Sequence, residues 1–145
     1  MNTHKTRGIV LKTVHYGDTS IIATVYTELF GIQSYIIKGI RKSAKNKASR
    51  ANYFQPAAIL DMIVYHNEFK HIQFIKEFEW SYMYQQVFFD VVKNAVAMYM
   101  IELLSFVLKQ PEAHAELYYL AEDSLKQLDK GNEKFTAKTW WTFYQ

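Results

Sequence analysis

The residues most suited to chemistry are cations gathered in an interval that contains no acid. Between Leu29 and Leu60 the sequence has no Asp or Glu and six basic residues, which are Lys38, Arg41, Lys42, Lys45, Lys47 and Arg50. The residues around them are small or polar, so these cations do not cover an apolar core. Concentrated positive charge of this kind suits a phosphate backbone. The interval therefore predicts a loop that binds nucleic acid without base-specific contacts.

Aromatic residues flank this basic interval. Tyr35 precedes it, and Tyr53 and Phe54 follow it. Proteins that bind single strands combine a cationic groove with rings on which bases stack. Tyr35 falls in a predicted strand, where its ring faces either the core or solvent, and we include it among the candidate DNA-binding residues. Phe54 precedes Gln-Pro and is expected in the core.

Three further cations and two histidines were weighed for other roles. Lys5, Arg7 and Lys12 are candidates to extend the basic surface. His66 and His71 flank a turn, but a zinc site needs three or four converging ligands, so we interpret them as polar turn residues. The sequence contains no Cys, and Ser20, in the turn Asp18-Thr19-Ser20, has no partner near it in sequence that would activate it. We therefore expect no enzyme activity, no cofactor and no metal.

Composition and charge favour a folded protein with a basic binding face on one of its halves. Of 145 residues, 50% are hydrophobic and 21% are charged, which is typical of a globular chain. Residues 1–80 hold 11 Lys and Arg against 6 Asp and Glu, and residues 81–145 hold 6 against 8. The polar N-terminus has no apolar core of a secretory signal, and the apolar stretch at 91–108 includes Lys93 and Glu102. We expect a cytoplasmic protein with no membrane partner.

The first 80 residues follow a strand pattern. Short runs rich in β-branched and aromatic residues alternate with turns, and Gly31 is available for a positive φ in one of them. The runs cover residues 8–15, 20–26, 33–37, 58–65 and 71–78. Five strands in so short a stretch predict a small closed barrel, either an OB-fold or an SH3-like barrel.

After residue 80 the pattern becomes helical. One helix is predicted to end before Pro111, and it is apolar enough to be the buried centre of a helical unit. One mostly apolar stripe along it consists of Phe88, Val91, Val92, Ala95, Met98, Tyr99 and Glu102. A second helix is predicted over 112–128, with Leu117, Leu120, Ala121, Ser124 and Leu128 on one face.

The predicted fold class is therefore α+β, with a barrel domain at 1–80 and an incomplete helical domain at 81–145. A third helix could begin near Lys134. The aromatic end from Trp140 suggests a fragment of a longer protein.

Five short motifs, in order, resemble the start of a known family. They are Gly8-Ile-Val-Leu-Lys12, Tyr16-Gly-Asp-Thr-Ser20, Tyr26-Thr-Glu-Leu-Phe-Gly31, Lys38-Gly-Ile-Arg-Lys42 and Gln55-Pro56. Each is weak alone, but their order and spacing resemble the RecO family of bacterial recombination mediators over residues 5–80. The helical remainder fits that family in general character.

The resemblance implies an OB-fold followed by a helical domain. It also implies DNA repair through homologous recombination: binding of single- and double-stranded DNA, annealing of complementary strands, and help in loading recombinase onto DNA coated with single-strand-binding protein. The implied partners are RecR and the C-terminal tail of single-strand-binding protein, and the implied location is the nucleoid. The four-Cys zinc site of some members cannot be carried over, because these residues include no Cys.

Two other functions remain open on the residues alone. A cationic loop on a barrel could bind an acidic peptide, which would make the chain a protein-interaction module. It could also bind RNA, because phosphate contacts do not distinguish ribose from deoxyribose.

Overall fold

The fold is known from a computed structural model, which describes residues 2–40 and 52–131. These residues form five strands, one short 3-10 helix and two α-helices. The strands are β1 (Thr3–Tyr16), β2 (Ser20–Thr27), β3 (Gly31–Ile37), β4 (Ile59–Tyr65) and β5 (Ile72–Tyr82). The 3-10 helix is Asn52–Phe54, and the helices are α1 (Val91–Val107) and α2 (Ala115–Lys130).

The strands close into a barrel in the order β1-β2-β3-β5-β4. Neighbouring strands run antiparallel except β3 and β5, which are parallel and pair at only three positions. A closed five-stranded barrel with two helices after it confirms the predicted α+β class and the OB-fold. Closure satisfies the strand edges that an open sheet would leave unpaired.

The first and last strands are longer than the sequence pattern predicts. β1 pairs with β4 from Thr3 to Ile9 and with β2 from Gly8 to Tyr16, so its polar start is held by backbone pairing. A register shift between Val10 and Lys12 bends it at this change of partner. β5 continues to Tyr82, past the predicted end at residue 78. The alternation of apolar and polar residues does not predict these extensions, because they are stabilised by backbone hydrogen bonds, which do not depend on the side chains.

Gly31 has the positive φ that the sequence predicts, at 66°. A Cβ at this position would lie 2.5 Å from the carbonyl oxygen of Glu112, in the connection between the two helices. The glycine therefore serves a second purpose, since it lets the barrel and the helical part approach closely.

Apolar side chains form two clusters, one inside the barrel and one between the barrel and the helices. Val10, Tyr35 and Phe54 belong to the barrel interior. Ile9 and Tyr26 face the other way and pack with residues of α1 and α2. The helices therefore bury their apolar faces on the outer wall of the barrel.

The apolar stripe seen in the sequence of α1 is not the face that the structure buries. The buried residues of this helix are Lys93, Ala97, Met100, Ile101 and Leu104. Val91, Val92 and Tyr99 are 85%, 49% and 51% exposed, so this helix is not a buried centre in the described part of the chain. Because α1 is apolar around most of its circumference, periodicity does not identify the buried face. The buried face of α1 is the one that carries Lys93.

The second helix is close to its prediction. It begins at Ala115 and ends at Lys130, and Gly131 is its C-cap. Ala121, Ser124 and Leu128 are buried as expected, whereas Leu120 is 47% exposed. The predicted third helix and the aromatic end from Trp140 lie outside the described residues.

Two buried charged residues join the helices to the barrel. The carboxylate of Asp129 accepts hydrogen bonds from the backbone N–H groups of Gln85, Gln86 and Val87 and from the Tyr82 hydroxyl, at 2.8–3.2 Å. We call this set the Asp129 clamp. Beside it, the Lys93 ammonium group donates to the side chain of Gln86 and to the carbonyls of Asp129 and Gly131 at the end of α2. The cation also suits the negative end of that helix.

The Asp129 clamp makes stability depend on ionisation of this carboxyl group. Burial opposes the charge, but the hydrogen bonds from Gln86, Gln85, Val87 and Tyr82 outweigh it, and the pKa of Asp129 is lowered from its usual value of 3.8. A carboxyl group whose pKa is lower in the folded state than in the unfolded state contributes its full stabilisation at pH values above the unfolded-state pKa. That stabilisation is lost as the pH falls through the folded-state value.

We expect Asp129→Asn to lower the free energy of unfolding by about 2–3 kcal/mol at pH 7, because the Asn amide replaces one accepting oxygen by a donor that faces other donors. Urea unfolding monitored by tryptophan fluorescence measures the change. The difference between the two proteins should shrink below pH 4, as the wild-type carboxyl group becomes protonated.

Asp123→Asn is the matched control, because Asp123 is exposed on the same helix. It should change the free energy of unfolding by less than about 0.5 kcal/mol. Equal effects of the two substitutions would show that the Asp129 clamp does not hold the helices on the barrel.

Candidate nucleic-acid interface

The basic interval starts and ends on the barrel core. On the entry side Ile37 and Ile40 are buried, and Gly39 turns the chain with a φ of 71°. On the exit side Phe54 is 2% exposed and packs in the same cluster, as the sequence predicts. Both ends of the intervening segment are therefore anchored in one core. Arg41, Lys42, Lys45, Lys47 and Arg50 lie outside the described residues.

Lys38 is the one predicted cation of this interval that falls in the described part of the chain. It is exposed in the turn after β3, and its ammonium nitrogen lies 5.4 Å from the centroid of the Phe74 ring. The charge at the entry of the basic interval is thus directed over an aromatic ring of β5.

Tyr35 does not fit the role proposed for it. Its side chain is fully buried in the barrel, and burial raises the pKa of its phenol well above the usual value of 10.0. A ring with no exposed face cannot stack on a base, so Tyr35 is a core residue. The alternation of β3 directs residues 35 and 37 inward and residue 36 outward.

An aromatic cluster supports the exit of the basic interval. The Tyr53 ring stacks on Trp80 with centroids 4.5 Å apart and meets Phe78 edge-on at 5.5 Å. Phe54 packs on Phe78 at 4.7 Å. Tyr53 and Trp80 are half-buried, so this cluster both anchors the chain after the basic interval and leaves part of its aromatic surface exposed.

Among the three additional cations, Arg7 has a structural role. Its guanidinium lies 2.7 Å from a Glu122 oxygen and 4.0 Å from a Glu28 oxygen, and Lys126 reaches the same Glu122 oxygen at 3.0 Å. Glu122 is 5% exposed, so Arg7 and Lys126 neutralise a carboxylate buried between barrel and helix. Arg7 is therefore already engaged by carboxylates. Lys12 is exposed.

Lys5 lies on an acidic side of the barrel. It shares a groove of about 310 Å³ with Asp61, Glu77 and Glu79, which project from the outer surface of β4 and β5. Three carboxylates around one ammonium group repel phosphate. This side of the barrel does not extend the basic surface.

The two turn histidines are packing and surface groups. The His66 ring stacks on Phe30 with centroids 3.9 Å apart, and His4 meets Phe30 edge-on at 5.2 Å. Burial and His4 lower the pKa of His66, against a smaller opposing effect of Glu68. His71 is exposed. Across residues 2–40 and 52–131, no three His, Asp or Glu side chains are placed to hold a metal ion.

Two groups of residues could not be assigned a role from the sequence. Phe74 and Phe78 were assigned only to the fifth strand and Trp80 to none, although large rings that alternate with polar residues are a signal of a ring surface. Asp129 and Lys93 gave no signal, because most of their partners are backbone groups distant in sequence.

None of the helices in the described ranges is long and apolar enough to cross a membrane.

Comparison with known proteins matches both parts of the chain to one family. The model for "Recombination protein O N terminal" matches residues 1–84, and the model for "Recombination protein O C terminal" matches residues 89–141. Similar proteins occur in several bacteria, and each of those below is named DNA repair protein RecO.

The relative from Christiangramia forsetii is 28% identical over 86% of this chain and 52% of its own length. The Phocaeicola vulgatus relative is 29% identical over 91% of the chain and 54% of its own length. The Chlorobium phaeobacteroides relative is 31% identical over 94% of the chain and 51% of its own length. The chain thus spans about half the length of the curated relatives it matches. Since the two family models together cover most of its residues, the chain belongs to the recombination protein O family.

Proposed function

We propose that this chain forms the DNA-holding part of a recombination mediator that acts in DNA repair. It binds single- and double-stranded DNA through the basic interval from Lys38 to Arg50, without base-specific contacts. Membership of the recombination protein O family supports the DNA repair role. The observation that carries the site is the acid-free basic interval whose two ends are anchored in one barrel core.

This anchoring suits the holding of a flexible polyanion. Ile40 and Phe54, which flank the interval, are both buried in the barrel core. Asp61, Glu77 and Glu79 form an acidic groove on the outer surface of β4 and β5. Because these carboxylates repel phosphate, we propose that a bound strand avoids this groove.

Annealing follows from the same electrostatics. Two complementary strands repel through their phosphates, and cations that contact phosphates without reading bases lower that repulsion for any sequence. We propose that the protein anneals complementary strands and helps to load recombinase onto DNA coated with single-strand-binding protein. No bond is made or broken in these steps, so the proposed role requires no catalytic residue and no cofactor.

The proposed partners are RecR and the C-terminal tail of single-strand-binding protein, and the proposed place of action is the nucleoid in the cytoplasm. The division into a barrel domain at 1–80 and a helical domain at 81–145 also stays a prediction. The core shared by Ile9 and Tyr26 with the helices indicates that the two parts fold against each other.

We expect replacement of Arg41, Lys42, Lys45 and Lys47 by Ala to weaken binding of single-stranded DNA and to flatten its salt dependence. If half of the six cations each neutralise one phosphate, the log–log slope is about −2 in the wild type and about −0.7 in the variant. Fluorescence anisotropy with an unstructured oligonucleotide at several salt concentrations measures both slopes.

A matched pair of variants makes this test specific. Lys45→Ala with Lys47→Ala removes two charges from the basic interval, and Lys109→Ala with Lys130→Ala removes two exposed charges from the helical part. Only the first pair should flatten the slope. An unchanged slope in the first pair and in the fourfold variant contradicts the assignment of the interval to phosphate binding.

We also expect the protein at its natural length to accelerate annealing of complementary strands coated with single-strand-binding protein, and the fourfold variant to lose most of this acceleration. Quenching between dyes on the two strands follows the reaction. Matched DNA and RNA strands, and an acidic peptide as competitor, separate DNA binding from the two alternative functions. Tight DNA binding without annealing would contradict the mediator role while leaving the DNA site intact.

A further inference from the structure

The outer wall of the barrel carries apolar rings where solvent-facing positions of a sheet are commonly polar. Phe74 of β5 is 41% exposed and pairs with half-buried Ile36 of β3 and half-buried Tyr65 of β4. Paired residues on neighbouring strands direct their side chains to the same face. Ile36, Phe74 and Tyr65 therefore form one continuous apolar row across three strands.

Phe69 extends this row at the turn between β4 and β5. Its side chain is 89% exposed, so it contributes almost nothing to the core. Tyr65 and Phe74 of this row, together with Phe69, line a groove of about 370 Å³ that also includes Lys70 and Glu68. We call Phe69, Phe74 and Tyr65, with the groove between them, the ring platform.

The turn that carries Phe69 is held rigidly. The side-chain amide of Gln73, which is 3% exposed, accepts from the Asn67 N–H and donates to the carbonyls of Asn67 and Lys70, at 2.7–2.9 Å. Asn67 in turn accepts from the Phe69 N–H at 2.9 Å. A fixed turn loses little conformational entropy when a ligand covers its ring, so the exposed phenyl group is preorganised for contact.

Charge next to the ring platform identifies the kind of ligand. Lys38 lies over the Phe74 ring, and Lys70 follows Phe69 in the same turn. Lys38 is also the first cation of the basic interval. Glu68 is the one carboxylate that lines the groove among the described residues. Rings beside cations match a single strand, whose bases stack while its phosphates take the charge.

We propose that the ring platform stacks bases of a single DNA strand, with Phe69 and Phe74 as the stacking residues and Lys38 and Lys70 at the adjacent phosphates. This inference rests on the proposed DNA-binding function and adds to it a contact that distinguishes single strands from duplex. An exposed cation–π contact is weak, so a base can displace Lys38 from the Phe74 ring and leave its ammonium group to a phosphate. In a duplex the bases are already stacked and paired, so the platform contributes little there.

The experiment compares Phe69→Ala, Phe74→Ala and the double variant with the wild type on a single strand, on the same strand with abasic sites, and on duplex. We expect each single substitution to weaken single-strand binding about fivefold or more. Duplex and abasic-strand affinity should stay within about twofold of the wild type, and the salt slope should not change because no charge is removed. Phe69→Trp should restore single-strand affinity.

Phe89→Ala is the control, because Phe89 is 79% exposed but lies just before α1 and does not line the groove of the ring platform. It should leave all affinities unchanged, and thermal unfolding should show that Phe69→Ala folds like the wild type. Photocrosslinking of a strand containing 5-iododeoxyuridine should modify the wild type at Phe69 or Phe74.

Each other outcome overturns the proposal. Equal losses on single strand, abasic strand and duplex would show a general surface effect in place of stacking. Variants that bind every DNA like the wild type would refute the ring platform and leave the proposed function standing. If those variants instead lost binding to another protein, the platform would be a protein-docking surface. A wild type that binds no DNA would refute the proposed function itself, together with the platform.

Discussion

The parallel pairing of β3 with β5 is the constraint on which the rest of this structure depends. It is the shortest seam of the barrel, with three paired positions from Ser34 with Ile72 to Ile36 with Phe74. Without it the barrel is an open sheet with two free edges. Closure buries Tyr35 inside and places Phe74 outside, next to the turn that holds Lys38. The same seam buries Gln73, whose amide organises the turn between β4 and β5.

The helical part depends on polar contacts as much as on apolar packing. The outer barrel wall offers Ile9 and Tyr26 to the helices, but an apolar surface alone does not set a helix at one angle. The Asp129 clamp and the Arg7–Glu122 ion pair fix the orientation of the helices on the barrel, because each requires particular partners at hydrogen-bond distance. Breaking one partner of such a buried pair is costly, since the other charge is left uncompensated.

Opposite charges lie on different parts of the described barrel surface. Lys38 lies over the exposed Phe74 ring at the seam of β3 and β5, while the carboxylates of Asp61 and Glu77 form a separate acidic groove on β4 and β5. Phosphate binding without base reading needs charge that is concentrated but adaptable, whereas stacking needs rings held in place. We propose that the basic interval meets the first requirement and that the turn held by Gln73 meets the second.

The sequence by itself determined the number of strands and their order along the chain, the α+β class, the positive φ at Gly31, the core position of Phe54 and membership of the recombination protein O family. These follow from local alternation, turn chemistry and short motifs, which are properties of neighbouring residues. Only the tertiary structure decided that Tyr35 is buried, that Lys93 and not Val91 faces inward on α1, and that Arg7 is paired with Glu122. Each of these depends on a partner far away in sequence. A strand or a uniformly apolar helix buries the face against which other elements pack, and the local sequence does not specify those elements.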